Sequence, residues 1–574
     1  MADTSPDAAV FVPSLTAVRR PATPQVRQNW VLDPVQDLLL IILAPLLCLG
    51  LALLAMARYG AERGAALVIT AHVVLTVAHH LPTFIRIYGD VELFRRFRWT
   101  FLLAPVIPLV FVSAMLVLIA VRGYPVETIL YLYIFLALWD PWHFLRQHFG
   151  FTRIYDRNNR APVRLASNMD WWISIALFVH IMVASASWIP SLLDDLYRNS
   201  HIPLLFALSP ELLAAAQGVS GVLALAMAVV YAGYLLWCRQ RGYTVSTAKI
   251  ALLVTTFGVM YLTYTPNEWI LALAPAWGFK VGFATLGIVH MTQYLAIVWR
   301  YDRRLTEQGR ARAGWFSWLH GKRGRWTTSL AVLAYVAFCV AYGDVITTTH
   351  ESRSLMSVLL AIGFTSTLLH YYFDGFIWKV RHQQNRAALD LEQGERKPGL
   401  SWGATSARDA VPRVLVRQLL YFALPLGVLS FGALQVWSAD RTTSVETMWE
   451  AQRLNEQGHG SEAADAARLA YRRMQQELPY ARQIVTLQPT AAREAQLAFL
   501  IYNEALYANR VLPMLDGRTP DDTERLMMAR RAGEAAGLLA RAIERGGPLG
   551  HPGRASLGDD EARRVVAAWD RASR

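Results

Sequence analysis

The sequence predicts an all-α, polytopic membrane protein with about eleven transmembrane helices, followed by a C-terminal α-helical domain. Three observations predict it. The 574 residues are 54% hydrophobic and include 19 tryptophans, and the mean hydropathy is +0.26, more apolar than a soluble chain of this length. Windows of about 20 apolar residues, the length that crosses a bilayer as helix, recur along the chain. Short basic segments and arginine-poor segments alternate between those windows.

Residues 1–34 form a flexible arm with Arg19, Arg20, Arg27 and several prolines, too long and too polar for a simple secretory signal. The membrane domain, residues 35–437, divides into spans near 35–57, 64–86, 100–121, 126–149, 169–190, 212–238, 249–265, 270–299, 328–349, 354–380 and 413–437. The seventh is short, and Pro266-Asn267 turns the chain into the eighth. Loops after even-numbered spans carry Arg95, Arg96 and Arg98; Arg153, Arg157, Arg160 and Arg164; Arg239, Arg241 and Lys249; and Arg300, Arg303, Arg304, Arg310 and Arg312. Loops after odd-numbered spans are short or acidic, as at 58–63, 122–127 and around Asp194 and Asp195. Basic loops stay inside, so the N-terminus is expected in the cytoplasm of a bacterial inner membrane and the C-terminal domain in the periplasm.

The net charge of +13 lies largely in these loops, where it faces anionic lipid. Outside them no basic face interleaves with aromatic residues, so nucleic acid is not an expected partner. Cys48, Cys238 and Cys339 stand singly in apolar segments without a Cys-x-x-Cys, which supports neither a thiolate zinc site nor a disulfide framework.

Residues 438–574 change character, with apolar residues at helical spacing in runs such as Ala463 to Tyr471. Helical stretches are expected to end at Leu478-Pro479, Leu512-Pro513 and Gly546-Gly547-Pro548. Ala-rich helices closed by proline resemble tetratricopeptide repeats; a generic helical bundle is the alternative. Either form suits a protein partner better than chemistry.

The membrane spans carry the chemistry. Even-numbered spans hold His72, His79 and His80; His143 and His148; His290; and His370. Ionisable residues inside a bilayer are costly and mark functional sites. Except for the deeper His72, these histidines precede the basic loops by similar distances, which at about 1.5 Å per residue places them in one shell. His72 shares a face with His79 and is either a further ligand or a packing residue. Odd-numbered spans hold His180, read as a helix–helix hydrogen-bonding residue, and His350 and His382 read as loop surface.

A shared metal ion is the expected ligand. Asp140 and Asp374 are spaced to orient or join His143 and His370, and Gln293 to support His290. Pro141 is expected to kink the fourth span. Lys280 falls within the eighth span without an assigned role. Imidazole without thiolate suits iron or zinc, and histidine-only coordination leaves positions open for dioxygen.

The segment His143-Phe-Leu-Arg-Gln-His148 is similar to the H-x4-H box of membrane fatty-acid desaturases and hydroxylases, and His72 to His80 half matches their second box. His148-Phe149-Gly150 and the dispersed single histidines across 64–380 more closely resemble bacterial membrane carotene-cleaving dioxygenases, whose iron is held by histidines from several helices. That resemblance implies non-haem Fe(II), O2 and a polyene or other long apolar, lipid-like substrate. It also implies that four of His79, His80, His143, His148, His290 and His370 are ligands. The expected activity is therefore a metal-dependent oxidoreductase of oxygenase or desaturase type, served by an electron donor. Two alternatives stand beside it. One is a haem-binding or quinone-linked electron-transfer protein, since facing histidines suit haem. The other is a transporter with a histidine relay, although clustering at one end favours a site over a path.

Overall fold

The structure, a computed structural model, describes residues 28–121, 139–200, 209–307, 320–321, 325–347, 353–377, 411–438, 442–551 and 554–574. Most of the N-terminal arm, the span residues 126–138 and 378–380, and Arg310, Arg312, His350 and His382 lie outside them. Among the described residues nine helices are long and apolar enough to cross a membrane, or ten if the bent pair Pro34–Ile42 and Ala44–Tyr59 is one span. The chain is a polytopic helical membrane protein.

In chain order the helices that matter are α1 (Ala44–Tyr59), α2 (Ala61–Ala78), α3 (His80–Gly89), α4 (Arg98–Leu103), α5 (Val106–Val121), α6 (Asp140–Tyr155), α7 (Val163–Ser185), α8 (Pro210–Gln240), α9 (Thr247–Tyr264), α10 (Phe279–Glu307), α11 (Arg325–Thr347), α12 (Arg353–Ile377) and α13 (Val411–Ser438).

Proline explains why three expected spans are broken. It lacks the N–H that would bond the carbonyl four residues back, and its ring crowds that carbonyl. Pro45 frees Ile41, at the 52° bend before α1, and the Gln293 amide donates to the Ile41 carbonyl at 2.9 Å. Pro105 frees Phe101, between α4 and α5, and the Tyr88 hydroxyl donates to that carbonyl at 3.0 Å. Pro82 separates α2 from α3, with His79 at the break (φ −75°, ψ −10°). Membrane helices tolerate proline where neighbours re-satisfy the freed groups.

Pro141 sits in the first turn of α6 as described, and the residues before Trp139, where its kink is expected, lie outside the described residues. Other expectations are corrected. The eighth span begins only at Phe279, because Asn267 caps a separate short helix, Glu268–Leu273. Lys280 therefore lies exposed in the first turn of α10. Lys249, counted as a loop cation, is fully buried, its Nζ 2.7 Å from Asp156 and 3.0 Å from Asp170. Arg153 bonds both carboxylates, and the Tyr231 hydroxyl donates to Asp170 at 2.8 Å.

Small residues let α2 pack against α10 and α11. A Cβ on Gly287 would come 2.2 Å from the His72 ring, and one on Gly343 would come 2.1 Å from the Val74 carbonyl. Membrane helices approach closely through such positions.

The C-terminal helices are α14 (Ser444–Glu456), α15 (Gly460–Leu487), α16 (Ala491–Leu506), α17 (Asp522–Arg545) and α18 (Asp559–Ser573). Pro479 lies inside α15 instead of closing it. Pro513 lies in the first turn of a short helix, Leu512–Leu515, that follows a π-turn. Gly546 does end α17, at φ +72°. An unforeseen antiparallel pair follows, β1 (Leu549–His551) and β2 (Arg554–Leu557). These helices meet the membrane domain at Ile189–Ser200, where Asp194 accepts from Arg493 at 3.3 Å, the Ser191 hydroxyl donates to Gln488 at 3.1 Å, and Tyr197 packs on Tyr480.

Candidate metal centre

Histidines from α2–α3, α6, α10 and α12 meet in one buried cluster. The donor atoms of His79, His290 and His370 all lie within 4.8 Å of one another, and so do those of His143, His370 and Asp374. Ring centroids are 4.5 Å apart for His79 and His370, 5.2 Å for His79 and His290, and 5.0 Å for His143 and His290. His79, His80, His290 and His370 are buried and His143 is partly so.

The hydrogen bonds fix where the protons are. The Tyr294 hydroxyl donates to Asp374 Oδ1 at 2.7 Å. The Tyr294 oxygen then accepts from the Thr83 hydroxyl. Thr83 Oγ1 in turn accepts from His370 Nδ1–H at 2.9 Å. His370 therefore presents the lone pair of Nε2, 3.7 Å from Asp374 Oδ2. The same logic applies to His79, whose Nδ1–H donates to the Leu75 carbonyl at 3.3 Å, leaving Nε2 with a lone pair.

The Nε2 lone pairs of His79 and His370 are unsatisfied, and other ring nitrogens of the cluster also stand without a partner. Nε2 of His79, His143 and His370, and Nδ1 of His290, are buried without a hydrogen-bond partner. His143 Nε2 comes 3.3 Å from Asp374 Oδ2 but lacks the direction of a hydrogen bond. A lone pair facing a carboxylate oxygen in a low-dielectric site is repulsive unless a cation lies between them. Around an ion with bonds of about 2.1 Å, neighbouring donors stand about 3.0 Å apart and opposite ones about 4.2 Å. Asp374 Oδ2, at 3.3 Å from His143 Nε2 and 3.7 Å from His370 Nε2, falls within that range, and the donors of the cluster are nitrogen and oxygen only.

The structure sorts the remaining candidates. His80 stacks on His370 at 4.8 Å and bonds Ser366 Oγ at 3.0 Å, beside the two donor sets. His148 follows His143 by five residues, which turns it about 140° around the helix. It packs on Phe144, gives Nδ1–H to the Phe144 carbonyl at 3.1 Å and joins neither set. His72 lies two turns from His79 against Phe283 and Thr76, and packs there. Gln293 does not orient His290; its amide serves Ile41, and its side-chain oxygen accepts from Gln147 at 3.3 Å. Asp140 is near enough to His143 to interact with it electrostatically, but the carboxylate 3.3 Å from His143 Nε2 is that of Asp374, from α12. His180 bonds Ser220 at 3.2 Å between α7 and α8.

Sequence reasoning missed Thr83, Tyr294, Ser366 and Gln147. A signal was present for three of them. Thr83 follows His79 by four residues, Tyr294 follows His290 by four, and Ser366 precedes His370 by four, the spacing that brings helical side chains together. Gln147, which also donates to the His290 carbonyl at 3.3 Å, has no such signal. No family model, curated protein or solved structure matches this chain.

Proposed function

We propose that this chain is a membrane-embedded, metal-dependent oxidoreductase acting with dioxygen on a lipid-like or polyene substrate. The observation that carries the reading is the pair of buried, unpaired Nε2 lone pairs on His79 and His370, the latter turned toward Asp374 Oδ2. His79, His290 and His370 would hold the ion, while Tyr294 and Thr83 hold His370 and Asp374 in position. An all-nitrogen-and-oxygen donor set with no thiolate among the described residues suits non-haem Fe(II). Iron bound there would supply dioxygen activation. Around it, Phe144 and Tyr371 pack against the histidine rings, keep water out and favour an apolar substrate.

The close mutual packing of these rings weighs against the haem alternative, because a porphyrin needs a wide slot between its axial histidines. The transporter alternative would need polar groups leading across the membrane, whereas these donors lie together in one buried cluster. We further propose a bacterial inner-membrane setting with the N-terminus cytoplasmic, an electron donor, and a protein partner for the helices beyond residue 438.

The test is elemental analysis and optical spectroscopy of the full chain, purified anaerobically in detergent. Bound iron is expected, lost in His290→Ala and His370→Ala while the variants stay monodisperse. Metal-free wild type, or metal unchanged in both variants, would overturn the reading, and a Soret band would transfer it to haem.

A further inference from the structure

The donor atoms outnumber what one ion at this spacing can collect, and they fall into two sets. His79, His290 and His370 form one; His143, His370 and Asp374 form the other. Among the described residues no fourth donor joins either set within the same limit. Opposite ligands on one ion stand only about 4.2 Å apart, so His143 cannot share an ion with both His79 and His290 where these side chains stand. His370 cannot link the sets by itself. Its Nδ1–H is committed to Thr83 at 2.9 Å, which leaves one nitrogen for one ion.

We propose that the cluster is built for two metal ions, an inference that rests on reading it as a metal centre at all. The first ion takes His79, His290 and His370. The second lies between His143 Nε2 and Asp374 Oδ2, whose 3.3 Å separation is that of adjacent ligands on one ion. Asp374 is the link. Its Oδ1 is occupied by the Tyr294 hydroxyl at 2.7 Å, and its Oδ2 faces His143 on one side and His370 on the other, at 3.3 Å and 3.7 Å. One carboxylate oxygen between two nitrogens from different helices is the arrangement of a bridging ligand. Paired ions in such sites stand about 3.5–4 Å apart, close enough for their unpaired electrons to couple.

The experiment loads the anaerobic, full-length protein with Mn(II) and measures both bound manganese and its electron paramagnetic resonance. Two manganese ions per chain with an exchange-coupled spectrum are expected. His143→Ala should bind one, with the hyperfine pattern of an isolated ion. The coupled wild-type spectrum stands as evidence even if that variant fails to fold. A single manganese ion in the wild type, or two without coupling, would overturn the second ion and leave a mononuclear centre standing. No bound manganese would overturn both.

Discussion

Tyr294 is tied by one hydroxyl group to Asp374 directly and to His370, common to both donor sets, by way of Thr83. It donates to Asp374 and accepts from Thr83, so a single phenol settles which Asp374 oxygen faces the cluster and which His370 nitrogen carries the proton. Tyr294→Phe keeps the ring that packs on His370 at 5.0 Å and removes only this control. Metal affinity should fall about 10- to 100-fold, as for other outer-shell partners, with a stability loss of about 1–3 kcal/mol from the buried groups left unpaired. A calorimetric metal titration showing equal affinity would remove Tyr294 from the proposal. At this scale the sequence was informative about the histidines and much less so about what orients them. Imidazole in a bilayer announces itself by its cost, whereas a threonine or tyrosine there is ordinary. Gln293 shows the reverse error. Its place three residues after His290 suggested support for that ring, but a carbonyl freed by Pro45 claimed the amide.

Among the helices, hydropathy located the spans and hid their breaks. A window average does not change when Pro82 or Pro105 enters it, although the backbone must. Periodicity also cannot separate a lysine at a helix start from one in a loop, which is how Lys249 was taken for a surface cation. In the structure it joins α9 to the end of α6 and to α7 through Asp156 and Asp170. Removing one partner from a buried charge group costs about 3–5 kcal/mol. Lys249→Met should therefore lower the thermal unfolding midpoint sharply, and adding Asp156→Asn should recover part of the loss. A midpoint within a degree or so of wild type would show that the group contributes little.

Across the whole molecule, α13 is the last apolar helix and ends at Ser438, and α14 begins at Ser444. The proline endings misled, because proline is tolerated in a first turn and within a long helix alike. The sequence also carried no sign of how the C-terminal helices meet the membrane domain. Beside Ser191–Gln488 and Tyr197–Tyr480, that contact includes Arg493, partly buried against Asp194. Hydrogen bonds to charged groups contribute about 1.5–3 kcal/mol. Arg493→Ala should thus speed hydrogen exchange in Ile189–Ser200 by about 10-fold or more, with metal content unchanged. Exchange confined to α16 would mean that docking depends on other contacts.

Pro82 sets a phase as well as a break. His79 stands upstream of it and Thr83 just downstream, and the two must arrive at the cluster together, one as a donor and the other as the acceptor for His370. Inserting or deleting a single residue between them would swing everything downstream by about 100°. In this stretch, chain length is constrained as well as side-chain identity. Between Ala78 and Thr83 the side chains of His79 and His80 are themselves engaged, and a one-codon insertion or deletion would in addition put them out of phase with Thr83.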